Sequence, residues 1–179
     1  GAILANAWKE VRELAQKANV PCTTTLLGLG AFDEHDPRSL RMLGMHGAAY
    51  ANYAVQESDC LIAIGARFDD RVTGNLKLFA PKARIVHIDI DPSSISKNVK
   101  VDIPVVGDAR LCLRDIIEHV QHVERPDWFE QIDQWKRQFP FTFLDDSPNT
   151  KPQAVIDAIN TITRGQAVFA TGVGQHQMW

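Results

Sequence analysis

The chain lacks most features that would announce a function at a glance. Its cysteines number only three, and Cys22, Cys60 and Cys112 lie far apart, each in an apolar context. No pair has metal-site or disulfide-framework spacing, so buried, reduced thiols are expected. There is no long basic run, and 19 Lys and Arg against 22 Asp and Glu leave a formal net charge of −3. That excludes the electrostatic footprint of a nucleic-acid binder or of a protein drawn to an anionic membrane. No apolar stretch approaches the roughly 20 residues of a membrane span. The opening GAILANAWKEV has no basic region ahead of an apolar run, so no secretory leader is read there. The expectation is a soluble, intracellular chain. It also lacks an initiator methionine, and Gly1 leads straight into a helical pattern, as if a preceding strand were missing.

What is present is apolar and patterned. At 179 residues and 45% hydrophobic composition, one core-bearing domain is expected, with a piece of a second. Leu4, Ala7, Trp8, Val11, Leu14, Ala15 and Ala18 recur at helical spacing. Gly1 is either the last glycine of a strand–glycine–helix phosphate loop, with a helix N-terminus facing an anion, or simply a boundary. Val20 to Thr25 reads as a short strand that exits into Leu26-Leu27-Gly28-Leu29-Gly30 and a polar turn, Asp33 to Pro37. Apolar residues between glycines suit the flat face of a ring system and suit core packing equally well.

Met42 to Gly74 reads as loop, helix, strand and loop: MLGMHG, AAYANYAVQESD, then CLIAIGARFDDRVTG. Gly44, Gly47 and Gly65 remove side chains where backbone must approach a ligand. Arg67 and Arg71 offer forked donors to phosphate or carboxylate. In the helix from Ala48 to Glu57, the small residues Ala51 and Ala54 with Val55 form the packing face. Cys60 to Ile64 reads as a strand buried on both faces. Asp69-Asp70 reads as ion pairing with Arg67 or Arg71, or as capping, since adjacent carboxylates point apart and no third metal ligand is spaced nearby.

Further strands are read at Arg84 to Ile90 and Ile103 to Val106. Asp89 at a strand end suits a ribose hydroxyl, while Asp91-Pro92 starts a turn with Ser93 and Ser94 as caps. His87 is read as a satisfied core histidine. Asp108 would cap a helix from Leu111 to Val120, a role that competes with ligand binding. The alternation of strand and helix predicts an α/β fold, a Rossmann-like doubly wound parallel sheet whose ligand lies beyond the strand ends. Trp128, Ile132 and Trp135 share a face of a helix from Asp127 to Gln138, and FPFTFLDDSPNT reads as an extended linker. Pro152 opens another helix, Gly165 ends it, and Ala167 to Thr171 is expected to be a strand that breaks into GVGQHQMW.

MLGMHGAAYANYAVQESD with GARFDDRVTG, flanked in order by TTTLLGLGAF, HIDIDPSSI, VGDA and TGVGQHQMW, resembles the acetohydroxyacid (acetolactate) synthase catalytic subunits. These are thiamine diphosphate enzymes of branched-chain amino-acid biosynthesis, and the resemblance covers essentially the whole chain. It implies a central FAD-binding Rossmann-like domain at 1–122, a helix and interdomain linker at 123–150, and the truncated start of a thiamine diphosphate domain at 151–179. The implied FAD contacts are Thr25, Leu26, Leu27, Leu43, Gly44, His46, Gly65, Ala66, Arg67, Asp69 and Val72. They continue with Asp89, Ile90, Ser94, Gly107, Asp108 and Ala109; where the family often has asparagine this chain has Ser94. Met45, Asp70 and Arg71 match the mouth of the substrate channel, Arg71 facing a keto-acid carboxylate. Val173, Gly174, Gln175 and His176 match the start of thiamine diphosphate binding.

The family reaction decarboxylates pyruvate on the thiamine cofactor and adds the two-carbon unit to pyruvate or 2-ketobutyrate. FAD does no net redox work, and Mg2+ serves the complete enzyme. The activating glutamate and the Gly-Asp-Gly metal motif belong to parts this chain does not contain, so alone it should catalyse nothing. The resemblance further implies a homodimer or tetramer and a small regulatory subunit. It places the protein in the cytoplasm if bacterial and in a plastid or mitochondrion if eukaryotic. The rivals are the central domain of another thiamine diphosphate enzyme, such as a pyruvate oxidase or an ADP-binding decarboxylase, and a non-catalytic nucleotide-binding module.

Overall fold

The computed structural model describes residues 1–144 and 148–178, with backbone alone at 177 and 178. Asp145, Asp146 and Ser147 of the expected linker, and Trp179 of the final loop, lie outside the described residues. The chain divides into two units, Gly1–Phe139 and Pro140–Trp179.

In the first unit, helix α1 (Trp8–Ala18) turns Val11, Leu14 and Ala15 inward, as its 3.6-residue period requires. It starts later than the periodicity from Leu4 suggests. The amide of Ala5 donates to the Gly1 carbonyl at 2.9 Å, Asn6 sits in the left-handed region at φ 51°, and Leu4 is 90% exposed. A turn therefore stands where helical entry was expected, and Gly1 does not head a helix N-terminus. It instead lies against the backbone of Gly65, so close that a Cβ on either glycine would collide with the other.

Strands β1 (Cys22–Thr24) and β2 (Ser39–Met42) form a parallel pair. Strands β3 (Cys60–Ile64), β4 (Arg84–Asp89) and β5 (Ile103–Val106) form a second parallel sheet with β4 in the middle. Between them come helices α2 (Ala49–Glu57) and α3 (Asp70–Thr73), and after β5 comes α4 (Ala109–His119). The α/β alternation with parallel strands is as expected, but the ladder is divided between two sheets. Ala2 and Ala5 pack into the same cluster as Cys22 of β1 and Ile64 of β3, and their backbone is turned, so it offers neither sheet an extended edge.

The largest cluster joins α1 to α4 over β4 through Val11, Leu14, Ile88, Leu113 and Ile117. A second seats Tyr50, Ala51 and Ala54 of α2 against Ile132 of α5 (Pro126–Gln138), with Tyr53 stacked on Trp135 at 5.7 Å. Ala63, Phe68, Ile85 and Val99 form the third.

Two expectations in this unit need correction, and one strand goes beyond them. β3 is not buried on both faces: Cys60 and Ile62 are exposed, and Ala63 alone of its residues is fully covered. The helix-bearing cluster over β4 reaches Ile64 at the carboxyl end of β3 and does not include Cys60 or Ile62 on the same side. Cys60 is accordingly an exposed thiol, whereas Cys22 and Cys112 are half-buried, and all three are free. β2 was unread, because four residues beginning with a serine and including Arg41 carry no strand period; its extension comes from pairing with β1.

In the second unit, α6 (Pro152–Thr163) begins at a proline as expected, and Arg164 and Gly165, both at positive φ, end it. The strand expected at 167–171 is not formed. Val168 is 99% exposed, and no ladder partner accompanies it among the described residues, so nothing takes up its backbone groups.

Candidate functional site

Each expected contact in the first unit falls at the carboxyl end of a strand, where a parallel α/β sheet leaves its backbone groups facing outward. After β1, Thr25 leads into a 3-10 turn, Leu26–Gly28, with Leu27 83% exposed. Arg12 of α1 holds the far side of that loop, its guanidinium donating to the carbonyls of Ala31 at 3.2 Å and Gly30 at 3.1 Å. Beneath it the hydroxyl of Thr24 is buried without a hydrogen-bond partner.

After β2, the loop 43–47 is held tightly. The Leu43 amide donates to the Thr24 carbonyl at 3.2 Å, and the Met45 amide to the Arg71 carbonyl at 2.8 Å. Gly44 has φ +92°, and a Cβ there would lie 2.5 Å from the Arg71 carbonyl oxygen, so only glycine fits. Its own amide donates to Asn52 Oδ1 at 2.8 Å, and Asn52 Nδ2 donates back to the Gly44 carbonyl at 3.0 Å. Met45 and His46 are left exposed at the tip.

After β3, Gly65 and Ala66 lead to Arg67, whose guanidinium pairs with Asp69 at 3.2 Å with both side chains largely in solvent. The pairing expected for this run is thus present, but at that exposure it adds little stability. Phe68 turns inward at φ +54°, and Asn98 fixes the bend by donating to the carbonyls of Arg67 at 3.0 Å and Phe68 at 3.1 Å. Asp70, Arg71 and Val72 lie on α3. The Arg71 guanidinium approaches the Met45 sulfur at 4.0 Å. A cavity of about 390 Å³ opens here, lined among others by Leu43, Gly44, Met45, Asn52, Asp70 and Arg71. A wider hollow of about 620 Å³ on the α2–α5 face, between Tyr53, Trp128 and Trp135, contains none of the expected site residues.

Asp89 ends β4, 9% exposed, with Oδ1 accepting from the Asp91 amide at 2.9 Å. Ile90 beside it is 71% exposed. The capping expected of Ser93 and Ser94 runs the other way. Asp91 is the cap: it accepts from the Ser93 amide at 2.9 Å and from both hydroxyls, which hold its carboxyl below the usual range. After β5, Gly107 and Asp108 lead into α4, and Asp108 Oδ1 caps the Leu111 amide at 3.1 Å as expected. That carboxylate oxygen is engaged, and so is the Gly107 amide before it, which donates to the Asp89 carbonyl at 3.0 Å.

His87 is buried but not satisfied, against expectation. Neither ring nitrogen reaches a hydrogen-bond partner in good geometry; Nε2 stands 3.7 Å from Asp89 Oδ2, and the ring meets Phe68 edge-on at 5.1 Å. Burial pushes its pKa down, with Asp89 and the Ala66 backbone opposing. The cause is positional: along β4 its side chain points into the sheet's covered face, where Phe68 supplies an apolar edge and no acceptor.

The arrangement suits an elongated ligand with a sugar and an anionic part. Its strand ends supply a carboxylate acceptor at Asp89, an unpartnered hydroxyl at Thr24, the α4 N-terminus and an exposed guanidinium at Arg67. Val173, Gly174, Gln175 and His176 lie in the second unit, where His176 Nε2 is 3.0 Å from the Gly172 carbonyl and Val173 is 98% exposed. Among the described residues no three His, Cys, Asp or Glu side chains gather as metal ligands, and no helix is long and apolar enough to cross a membrane.

Sequence reasoning missed Arg12, Asn52 and Asn98, the three side chains that pin these loops. Only Asn52 left a signal, an asparagine inside a helix where it is a poor former unless its amide finds a partner.

Comparison with known proteins bears on the same residues. The family described as "Thiamine pyrophosphate enzyme, central domain" matches residues 1–116. Over its whole length the chain is 50% identical to the acetolactate synthase large subunit of Parasynechococcus marenigrum (strain WH8102), of which it covers 30%. Over 94% of its length it is 47% identical to the mitochondrial acetolactate synthase catalytic subunit of Saccharomyces cerevisiae, covering 27% of that protein. Over its whole length it is 44% identical to chloroplastic acetolactate synthase 1 of Zea mays, covering 29%. The chain thus spans less than a third of the relatives it matches.

Proposed function

The chain belongs to the family of thiamine pyrophosphate enzyme central domains, and from that premise we propose that it is the flavin-holding segment of an acetohydroxyacid (acetolactate) synthase catalytic subunit. The observation that carries the reading is the convergence of the loops after β2 and β3, hydrogen-bonded from Met45 to Arg71 at the mouth of one cavity. The contact set runs from Thr25, Leu26 and Leu27 through Leu43, Gly44, His46, Gly65, Ala66, Arg67, Asp69, Val72, Asp89, Ile90 and Ser94 to Gly107, Asp108 and Ala109. Its chemistry fits FAD: exposed Leu27 offers apolar cover to a ring, Arg67 a charge to the diphosphate, and Asp89 an acceptor to a ribose hydroxyl.

The protein in which this segment works would join a pyruvate-derived two-carbon unit to pyruvate or 2-ketobutyrate. Thiamine diphosphate, held in part by Val173, Gly174, Gln175 and His176 with Mg2+ bound elsewhere, would supply the carbanion-stabilising chemistry when bound. This chain's own part is binding and orientation. Arg71 presents a forked donor to the incoming keto-acid carboxylate, and Met45 and Asp70 shape the entrance beside it. The division into a flavin domain at 1–122, a linker at 123–150 and the start of the thiamine domain at 151–179 belongs to this reading. So do a homodimer or tetramer, a small regulatory subunit, a location following that of bacterial, mitochondrial or plastid relatives, and inactivity of the segment alone.

The test is a titration of the folded chain with FAD by fluorescence polarisation, with FMN, NAD and ADP as competitors and circular dichroism as fold control. Saturable binding of FAD in preference to FMN and NAD is expected. Binding of ADP alone would hand the assignment to a decarboxylase-like central domain, and no binding by a folded chain would remove the flavin role from this segment.

A further inference from the structure

We propose that Asn52 is a positioning residue that sets the entrance of the cavity, holding Met45 and Arg71 in register through Gly44. The inference rests on the flavin-site reading and adds to it a residue that touches neither flavin nor keto acid in that reading. One terminal amide closes both backbone groups of Gly44: Oδ1 accepts from its N–H at 2.8 Å and Nδ2 donates to its carbonyl at 3.0 Å. A carboxylate in this place accepts but cannot donate, and an alkyl side chain does neither.

The clamp transmits, because Gly44 has no slack. At φ +92° its missing Cβ leaves only the room that the Arg71 carbonyl occupies, 2.5 Å from where a Cβ would stand. The next amide, that of Met45, donates to the same carbonyl at 2.8 Å. A shift of Gly44 therefore shifts Met45 and the backbone of Arg71 together, and Arg71 Nη1 lies 4.0 Å from the Met45 sulfur on the cavity rim. Asn52 stands on α2, whose other face is anchored by Tyr50, Ala51 and Ala54 in the cluster shared with α5. The entrance is thus referred to a packed helix, and the loop does not have to support its own geometry.

The experiment uses the whole chain, with Asn52→Leu and Asn52→Asp variants. Amide hydrogen exchange at Gly44 and Met45, FAD affinity and melting temperature are measured for each. The expected result for Asn52→Leu is loss of protection at both amides and FAD binding weaker by roughly tenfold, the scale of one to two hydrogen bonds. Asn52→Asp, which keeps the acceptor, should retain protection at Gly44, lose part of it at Met45 and bind FAD with intermediate affinity. Melting temperature should change little, and protection elsewhere in α2 should hold; a merely structural asparagine would lower both together. Unchanged exchange at Met45 in Asn52→Leu overturns the proposal. If the unsubstituted chain takes up no FAD, the flavin reading falls by itself, and the Met45 exchange result still decides the clamp.

Discussion

At the scale of single residues, the buried imidazole of His87 carries a pH dependence. Burial lowers its folded-state pKa, so the unfolded chain, titrating near 6.5, binds the proton more readily. Stability then rises with pH through that range and is lost as pH falls below about 6.5, since the unfolded state gains protons first. The groups facing it are Asp89, at 3.7 Å, the Ala66 backbone and the apolar edge of Phe68. The urea midpoint should fall between pH 7.5 and pH 5, and the fall should shrink in His87→Leu; equal falls would assign the acid sensitivity elsewhere. The thiols make a second residue-scale prediction. Cys60 lies open on β3, while burial and then Asp36 push the Cys22 thiol up to about 12. With a soluble maleimide at pH 8, Cys60 should be modified first and Cys22 last, as peptide mapping of a time course would reveal.

At the scale of elements, α2 and α5 depend on one another through the side chain of Ile132. Ile132 is 1% exposed beneath Tyr50, Ala51 and Ala54, so Ile132→Ala should cost about 2–5 kcal/mol in urea unfolding. The near-ultraviolet dichroism of Tyr53, Trp128 and Trp135, which lie in ring contact at 5.7–5.8 Å, should weaken with it. Helix α4 is held by its packing, with its first turn adding a smaller share. Asp108→Ala removes the cap on the Leu111 amide and should cost only about 1 kcal/mol, because the Leu113 and Ile117 packing remains. If the cap cost more than the core residue, the ranking of packing above capping in these helices would be inverted.

At the scale of the whole molecule, the two parallel sheets leave β3 at an edge, with Cys60 and Ile62 outward. Unpaired edges of this kind invite another strand. Self-association should therefore rise with concentration in light scattering and be suppressed by Ile62→Lys, whose charge opposes edge pairing. An unaltered scattering curve would place the contact elsewhere.

The sequence by itself determined the elements whose residues interact locally. Strand and helix periods, Pro152 opening a helix and Asp108 capping one were readable because their causes lie within a few residues. The glycines and arginines at the ends of β3 and β5 were readable for a related reason: the strands before Gly65 and Gly107 deliver their exit loops to the carboxyl edge. Only the tertiary structure decided the rest. It extended β2, which has no strand period of its own, by pairing it with β1. It placed β3 at an edge, turned Ala2 to Asn6 out of the helix, and left His87 facing Phe68 without a hydrogen bond. It also chose which side chains hold the site, through bonds from Arg12 to Gly30 and Ala31, from Asn98 to Arg67 and Phe68, and from Asn52 to Gly44. Most of these join residues far apart in the chain, and each depends on a backbone direction that the fold alone sets.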